Sequence, residues 1–383
     1  MAGPTVHQGP HCGHGSLADP HWHCKFFSIW KSREKLTPFH FQVPPSYNFS
    51  LPTCSNYHLD SHEVWGPFSD IRSTRDFEWH GNYVESRQLL QDILIHDVIG
   101  GGTPNRQHPW IVYTAGAMGA GKSRTIHWMS EQGLFPLPDI VQIDPDSFRE
   151  RLPEWQGYIE RDPSMAGRLT HKECGLCVEI AQEAALRQRK HIWVDGSLRD
   201  AEWYTRVFND IKKRHPEYRI AILYVYASMG SVLERAKLRG RLTGRVVPEK
   251  DILDSLRRVP LAVEQLASEV DFLAWISNES DQEPKLRQIC NDHMCKFLNG
   301  DDWDEVVSRF GHLHSEMDRE EICRQLDRHL GGSSSREDAL MIFSKSYCSF
   351  CIKLKRALKM ANIPFKCIEC DEVSWSKEES RWC

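Results

Sequence analysis

Apolar runs and amphipathic stretches alternate through the middle of the chain. Five compact apolar runs fit buried strands, at residues 110–115, 139–144, 191–195, 219–227 and 270–277. Stretches with helical periodicity lie between them, as at residues 172–190 and 201–215, and residues 86–99 precede the first strand. This alternation predicts an α/β fold in which helices cover both faces of a parallel sheet and ligands bind at the carboxyl ends of its strands.

The pattern changes on both sides of this region. Residues 1–72 are rich in Pro, His, Ser and aromatic residues without a sustained period, so we expect an irregular N-terminal extension. Residues 73–280 form the predicted α/β domain. Residues 281–333 are polar and predict a helical connector that ends in a Gly/Ser linker, and residues 334–383 follow the order strand, turn, helix, strand.

Length, charge and cysteine content narrow the class of protein. A chain of 383 residues is long enough for two or three domains. Its net charge of −5 disfavours general binding to nucleic acid or to an anionic membrane. The chain has no apolar run long enough to span a bilayer and no secretory leader at its start, so we expect a cytoplasmic protein. In that compartment the 13 cysteines are expected to be thiols, redox pairs or metal ligands before disulfides.

A phosphate-binding loop is the strongest motif. It matches GxxxxGK[ST] between the strand at 110–115 and a predicted helix that starts near Lys122. Glycines let successive backbone N–H groups face a phosphate, and the helix N-terminus adds a positive dipole end. Lys122 would reach the terminal phosphates, and Ser123 would bind Mg²⁺. The predicted nucleotide-binding residues are Gly116, Ala117, Met118, Gly119, Ala120, Gly121, Lys122 and Ser123.

Acidic residues follow two of the other predicted strands. Asp195 ends the strand at 191–195 and predicts a carboxylate that helps to hold the Mg²⁺ of the nucleotide. Asp144 and Asp146 follow the strand at 139–144, where a transferred phosphate would meet a substrate hydroxyl. One of them is also a good cap for the next helix, and we assign the structural role to Asp144 and the catalytic role to Asp146.

A basic segment follows the fourth strand and its helix. It contains Arg235, Arg239, Arg241 and Arg245 together with two glycines. Guanidinium groups suit the charge that develops on a transferring phosphoryl group, and glycine hinges suit a lid that closes over it. A solvated basic helix end is the alternative interpretation.

These stretches together resemble the zeta toxin family of P-loop kinases over roughly residues 105–280. The resemblance rests on AGAMGAGKS, IDPDSFRERLPEW, CVEIAQEA with WVDGSLRD, and ERAKLRGRLTGRVVP. It implies a three-layer P-loop NTPase fold, catalytic roles for Lys122, Asp146, Arg235 and Arg245, substrate binding by Glu179 and Ser197, and a metal shell of Ser123 and Asp195. Bacterial members of the family phosphorylate UDP-N-acetylglucosamine. Asp195 departs from the family, which frequently has Glu at that position.

The last segment resembles the start of a glutaredoxin, with a strand, a CxxC pair and a helix in MIFSKSYCSFCIKLKRAL. The resemblance implies a partial thioredoxin-like module in which Cys348 is the exposed thiol and Cys351 resolves the mixed disulfide. The competing interpretation is zinc, because Cys348, Cys351, Cys367 and Cys370 have the spacing of a zinc ribbon. Helical periodicity between the pairs favours glutaredoxin. Cys174 and Cys177 are expected to be small buried thiols, and the pair Cys290 and Cys295 stays ambiguous.

The leading hypothesis is therefore an ATP- or GTP-dependent kinase of a small hydroxylated metabolite, such as a UDP-sugar, with Mg²⁺ as cofactor. The alternative is a nucleotide-binding regulatory or thiol-redox protein without kinase turnover. We expect a small-molecule substrate and neither a membrane nor a nucleic acid as partner. We also hypothesise that the kinase is restrained, either in cis by the N-terminal extension or by a separate inhibitory partner.

Overall fold

The structure is a computed structural model that describes residues 41–244, 246–279, 283–291, 294–300, 302–310, 340–344 and 365–369, together with residues 355 and 358. The strands are β1 (Trp110–Ala115), β2 (Val141–Ile143), β3 (Ile192–Val194), β4 (Arg219–Tyr226), β5 (Phe272–Ser277), β6 (Lys285–Asn291), β7 (Met294–Gly300), β8 (Leu340–Ser344) and β9 (Phe365–Glu369). The helices before the third strand are α1 (Thr53–Asn56), α2 (Ser69–Arg72), α3 (Phe77–His80), α4 (Glu85–Ile99), α5 (Lys122–Glu131), α6 (Pro145–Glu150), α7 (Trp155–Arg161), α8 (Pro163–Leu169) and α9 (His171–Arg187). The later ones are α10 (Ala201–Arg214), α11 (Met229–Thr243), α12 (Glu249–Leu266) and α13 (Asp304–Phe310).

A mostly parallel seven-stranded sheet forms the centre, in the order β2-β3-β1-β4-β5-β6-β7. The five predicted strands are the parallel ones, so the predicted α/β class is confirmed. Alternate side chains of β1 face opposite layers, as the period of a strand requires. Val112 belongs to the core that contains Ile126 of α5, whereas Tyr113 packs against Phe208 of α10. Helices therefore cover both faces of the sheet.

An antiparallel hairpin lies where the sequence predicted a helical connector. β6 pairs with β5 and β7 pairs with β6, both antiparallel. The prediction of helix is wrong for these strands, because Leu286 and Ile289 are buried in the core beside β5 and Phe310 of α13. Burial against an existing sheet edge outweighs the local polar composition that favoured a helix. The predicted connector is helical only at α13 among its described residues.

Cys290 and Cys295 face each other across this hairpin and form a disulfide. The pair that the sequence left ambiguous is thus a cross-strand bridge, against the expectation that the cysteines are thiols or ligands. Cys174 and Cys177 are buried thiols on α9, as predicted. Among the described residues, no three His, Cys, Asp or Glu side chains gather in a metal-binding group.

The part of the N-terminal extension that the structure describes is folded into the domain. Residues from Val43 onward form one compact unit with the rest of the described chain, so the structure draws no boundary at residue 72. Tyr57, Phe68 and Ile71 are buried, and the buried Arg72 donates a hydrogen bond of 2.5 Å to Asp92 of α4. These contacts join the extension to α4, although its sequence has no periodic pattern. The histidines and cysteines between residues 7 and 24 of the extension lie outside the described residues.

A two-stranded parallel sheet is described near the C-terminus. β8 pairs with β9 in parallel, from Leu340 opposite Phe365 to Ser344 opposite Glu369. This agrees with the predicted order of two strands separated by a helical segment. Cys348, Cys351 and Cys370 lie outside the described residues, and Cys367 on β9 is exposed. Within the described ranges, no helix has both the length and the apolar character to cross a bilayer.

Candidate active site

The phosphate-binding loop connects β1 to α5 in a conformation that only glycine adopts without strain. Gly116, Gly119 and Gly121 have φ angles of 148°, 94° and 85°. A Cβ atom at Gly116 would lie 2.4 Å from the carbonyl oxygen of Val225, so even alanine would not fit. Helix α5 begins at Lys122, whose Nζ donates a hydrogen bond of 3.2 Å to the carbonyl of Gly116. The side chain of Lys122 therefore lies over the phosphate-binding loop.

Two carboxylates meet beside this loop, at the carboxyl ends of β2 and β3. Asp195 accepts a hydrogen bond of 2.5 Å from the hydroxyl of Thr114, which lies two residues before the loop. Burial, aided by the negative charge of Asp195, raises the pKa of Asp144 to about 7. The carboxylate of Asp144 also caps α6 by accepting the N–H of Asp146 at 2.7 Å. The structural role assigned to Asp144 therefore corresponds to its contacts.

The donors beside the loop fit Mg²⁺. The cation prefers oxygen ligands, and it commonly takes one or two carboxylates together with substrate phosphates and water. Ser123 on the first turn of α5 and Asp195 supply a hydroxyl and a carboxylate, both hard oxygen donors. Burial raises the pKa of Asp144, the charge of Asp195 adds to this effect, and Arg239 and Arg149 oppose it in part, so a bound cation would further favour the ionised carboxylate.

Asp146 lies on the first turn of α6 and faces α11. Its carboxylate accepts a hydrogen bond of 2.9 Å from Arg239 of α11 and another from Arg149 of α6. The carboxylate is about one-fifth exposed, so a substrate can reach it. Asp146 therefore joins the segment that follows β2 to the helix that carries the predicted phosphate-binding arginines.

Arg235 lies on the same helix, one turn before Arg239, and reaches the phosphate-binding loop. Its Nη1 donates to the carbonyl of Asn278 at 2.9 Å and to the carbonyl of Ala120 at 3.4 Å. Its Nη2 is buried and has no hydrogen-bond partner among the described residues. A buried donor without a partner beside a phosphate loop is suited to an anionic ligand.

The arginine segment is helical where the sequence predicted a mobile lid after a helix. Arg235, Arg239 and Arg241 all belong to α11, which continues through Gly240 and ends at Gly244 in the left-handed conformation. The reason is that alanine, leucine, lysine and arginine are strong helix formers, which outweigh a single internal glycine. Arg241 points elsewhere, since it lines a cavity of about 270 Å³ between α11 and α12. Arg245 lies outside the described residues.

The predicted substrate-binding residues occupy two separate places. The side chain of Glu179 on α9 forms a hydrogen bond of 3.0 Å with His80 Nε2. It also lies 3.7 Å from a guanidinium nitrogen of Arg75. The backbone carbonyl of Ser197 accepts the N–H of Gly116 at 3.3 Å, so Ser197 supports the phosphate loop. Sequence reasoning missed Arg75 and His80, because they lie in short helical turns whose residue pattern carries no periodic signal.

Comparison with known proteins gives two family matches. A family model described as zeta toxin matches residues 96–283, and one described as glutaredoxin matches residues 340–382. A search of curated proteins found no match.

Three solved structures illustrate the similar folds. A chain of the PezAT chromosomal toxin-antitoxin system of Streptococcus pneumoniae is 18% identical with a TM-score of 0.42, covering 65% of this chain and 99% of that one. A chain of the AvrRxo1-ORF1:-ORF2 complex with ATP is 13% identical with a TM-score of 0.47, covering 82% and 96%. Deoxyadenosine kinase from M. mycoides with bound dCTP is 14% identical with a TM-score of 0.27, covering 45% and 91%.

The zeta toxin match contains the phosphate-binding loop, both acidic segments and α11, which are the parts that the structure brings together. The glutaredoxin match contains β8 and β9. Residues 96–283 of this chain are therefore similar to the zeta toxin family over the parts that form the candidate site, and residues 340–382 are similar to glutaredoxin.

Proposed function

We propose that this chain transfers the γ-phosphoryl group of ATP or GTP to a hydroxyl group of a small metabolite, and that a UDP-sugar is the first acceptor to test. The observation that carries the proposal is the position of α11. Arg235 hydrogen-bonds to the phosphate-binding loop, and Arg239 on the next turn hydrogen-bonds to Asp146. One helix thus links the donor side of the site to the acid that would receive the acceptor.

In this proposal the loop and its arginine hold the donor. Backbone N–H groups at the start of α5 point toward the phosphates, where the helix dipole favours negative charge. Lys122 exchanges its contact with the carbonyl of Gly116 for the terminal phosphates. Arg235 adds its unpartnered Nη2. Since phosphoryl transfer has a loose transition state, positioning and neutralisation of charge supply most of the acceleration.

The acidic residues have two separate roles, metal binding and proton transfer. When Mg²⁺ is bound, it neutralises charge that builds up on the phosphate oxygens. Ser123 and Asp195 would hold it, and Thr114 orients the carboxylate of Asp195 through its hydrogen bond of 2.5 Å. Asp146 aligns the acceptor hydroxyl and takes its proton. Arg149 and Arg239 keep the carboxylate of Asp146 in place until the acceptor displaces one of them.

The test is transfer of label from [γ-³²P]ATP or GTP to a panel of acceptors that includes UDP-N-acetylglucosamine, UDP-glucose and free nucleosides. We expect a labelled product from the wild type, a loss of about 100-fold or more in Lys122→Ala, and a similar loss in Asp146→Asn with unchanged nucleotide affinity. Lys213→Ala on α10 and Asp60→Asn are matched controls, since both side chains are exposed. Equal activity of wild type and Asp146→Asn would refute the assigned base.

The glutaredoxin match supports a second candidate activity, thiol-disulfide exchange by Cys348 and Cys351. Reduction of a small mixed disulfide by glutathione should then require Cys348, and Cys348→Ser should abolish it while Cys54→Ser leaves it unchanged. If labelled phosphate appears only as free phosphate across the acceptor panel, nucleotide binding without kinase turnover becomes the better description of residues 96–283.

Restraint of the kinase by its N-terminal extension also belongs to this proposal. Residues 43–72 contribute buried side chains to the domain, so their removal would unfold it instead of activating it. The informative deletion therefore ends at Gln42. We expect a higher rate of transfer from the shortened chain, and an unchanged rate would assign any restraint to a separate inhibitory partner.

A further inference from the structure

Two side chains from the short turns before α4 hold the carboxylate of Glu179. His80 at the end of α3 lies with its Nε2 3.0 Å from Oε1, and Arg75 lies with Nη1 3.7 Å from Oε2. Both oxygen atoms of Glu179 therefore have a nitrogen partner. Both partners precede residue 96, where the zeta toxin match begins. The two partners therefore lie outside the matched region, whereas Glu179 lies within it.

The hydrogen bonds of His80 define where its protons are. Its Nδ1 lies 3.1 Å from the backbone carbonyl of Lys172, and a carbonyl oxygen only accepts, so Nδ1 must carry a proton. Its Nε2 faces the carboxyl of Glu179. The contact of 3.0 Å then needs one further proton, either on Nε2 of an imidazolium or on Glu179 itself. His80 and Glu179 are thus joined by a direct side-chain hydrogen bond.

The surroundings fix His80 but leave Glu179 accessible. The side chain of His80 is about 3% exposed, whereas that of Glu179 is 25% exposed. The backbone carbonyl of His80 also accepts a hydrogen bond from the buried Tyr83, which anchors the turn. Glu179 is therefore held by a buried partner on one side and is partly open to solvent on the other.

Arg75 completes the arrangement. Its side chain is 17% exposed, and its Nε is buried with no hydrogen-bond partner among the described residues. Its Nη2 donates to the hydroxyl of Thr74 at 2.9 Å, which holds the guanidinium in place. The separation of 3.7 Å from Glu179 exceeds a hydrogen bond, so Arg75 contributes charge and a spare donor instead of a second fixed contact.

We propose that His80 and Arg75 are positioning residues for the acceptor, and that they set specificity by aiming the carboxylate of Glu179 at a hydroxyl group of the bound metabolite. This inference rests on the proposed kinase function. A carboxylate held from behind by an imidazole accepts hydrogen bonds from the hydroxyl groups of a sugar or ribose ring. Acceptors that present two neighbouring hydroxyl groups should therefore be preferred over simple alcohols.

A double-mutant cycle tests the pairing. His80→Ala and Glu179→Gln are each expected to raise the KM for the accepted UDP-sugar by about 10-fold or more. The double variant should be no worse than the more impaired single variant, because the two residues act as one unit. The KM for ATP should stay within about 2-fold of the wild type, which separates positioning of the acceptor from a general loss of folding. Arg75→Gln should give a smaller rise in the same direction.

Two further variants keep the test decisive. In His80→Gln the side-chain amide can still donate to Glu179, so this variant should recover part of the affinity that His80→Ala loses. His58→Ala is the matched control, because His58 lies on the same segment with its side chain about half exposed. If His80→Ala does not fold, Arg75→Gln and His80→Gln provide the same comparison.

The outcomes separate the inference from the proposed function. Transfer by the wild type with unchanged acceptor KM in folded His80→Ala and Arg75→Gln would overturn the inference alone. Additive losses in the cycle, or equal rises in KM for ATP and acceptor, would also overturn it. Absence of transfer by the wild type to every member of the acceptor panel would overturn the kinase proposal and this inference with it.

Discussion

His191 offers a direct test of how the sheet holds the site together. It lies immediately before β3 and is 2% exposed. Its Nδ1 accepts the backbone N–H of Trp110 at 2.9 Å, and its carbonyl accepts the N–H of Val141 at 2.8 Å. It therefore connects the beginnings of β1, β2 and β3, the strands that lead to the phosphate loop and the acidic residues. Protonation of Nδ1 would replace the first of these hydrogen bonds with two opposed donors.

The magnitude follows from its pKa. Burial, aided by the charge of Arg106, lowers the pKa of His191 from 6.5 to about 4. The folded protein binds this proton less tightly than the unfolded chain does. The neutral His191 therefore contributes fully to the free energy of unfolding above about pH 6.5, and this contribution is lost progressively as the pH falls from there through 4. Between pH 7 and pH 5 the loss in the free energy of unfolding is about 2 kcal/mol, and it approaches about 3 kcal/mol below pH 4.

The assay compares urea unfolding of the wild type and His191→Asn at pH 7 and pH 5. Asparagine keeps an acceptor for the N–H of Trp110 but does not titrate, so the variant should lose about 2 kcal/mol less than the wild type over this interval. Other titrating groups cancel in the comparison. His58→Asn, at an exposed histidine, should behave as the wild type does. An identical pH dependence in His191→Asn and wild type would refute a buried neutral imidazole at this position.

Three further predictions concern the loop, the core and the hairpin. In Gly121→Ala the new Cβ would lie 2.2 Å from Asn278 Nδ2 at a φ of 85°, so the Kd for ATP should rise about 10-fold or more by titration calorimetry. Arg87→Leu should lower the free energy of unfolding by about 3–5 kcal/mol, because two buried glutamates lose their shared partner. Replacing both Cys290 and Cys295 by alanine should lower the free energy of unfolding by about 2 kcal/mol, since the bridge closes a short loop.

Each of these has a matched control. Gly133 has a φ of 74° with nothing within 4 Å of a Cβ atom, so Gly133→Ala isolates backbone strain from the clash and should leave ATP affinity unchanged. Arg206→Leu at an exposed position of α10 should leave the free energy of unfolding within about 0.5 kcal/mol of the wild type. Equal effects of Gly121→Ala and Gly133→Ala on ATP affinity, or of Arg87→Leu and Arg206→Leu on stability, would contradict the contacts described here. For the hairpin, the same midpoint of unfolding with and without reductant would contradict stabilisation by the disulfide.

Local patterns were sufficient for the parallel sheet and for the phosphate-binding loop. The strand at Trp110–Ala115 is an apolar run between turn signals, and it was predicted with the bounds that the structure has. The loop requires positive φ angles at Gly116, Gly119 and Gly121, and glycine at these positions is visible in the sequence itself. Features of this kind depend on residues that are close together along the chain.

The hairpin of β6 and β7 depended on the tertiary structure. Its residues are polar enough to resemble a helical connector, and only the open edge of β5 makes them strands. The arginine segment differs from the hairpin, because strong helix formers continue α11 through Gly240 and the tertiary structure decided only that this helix lies beside the phosphate loop. In the hairpin, pairing with a strand distant in the sequence outweighed the local composition.

By itself, the sequence determined the order of the five parallel strands, the phosphate-binding loop and the chemical types of residue available for catalysis. Only the tertiary structure decided which of these residues meet. His80 and Glu179 are 99 residues apart, and Arg239 and Asp146 are 93 apart, so no local pattern relates them. The physical reason is that a side chain's neighbours in a packed core are set by the register of the sheet and by the helices that cover it, whereas a motif records only what is required along the chain.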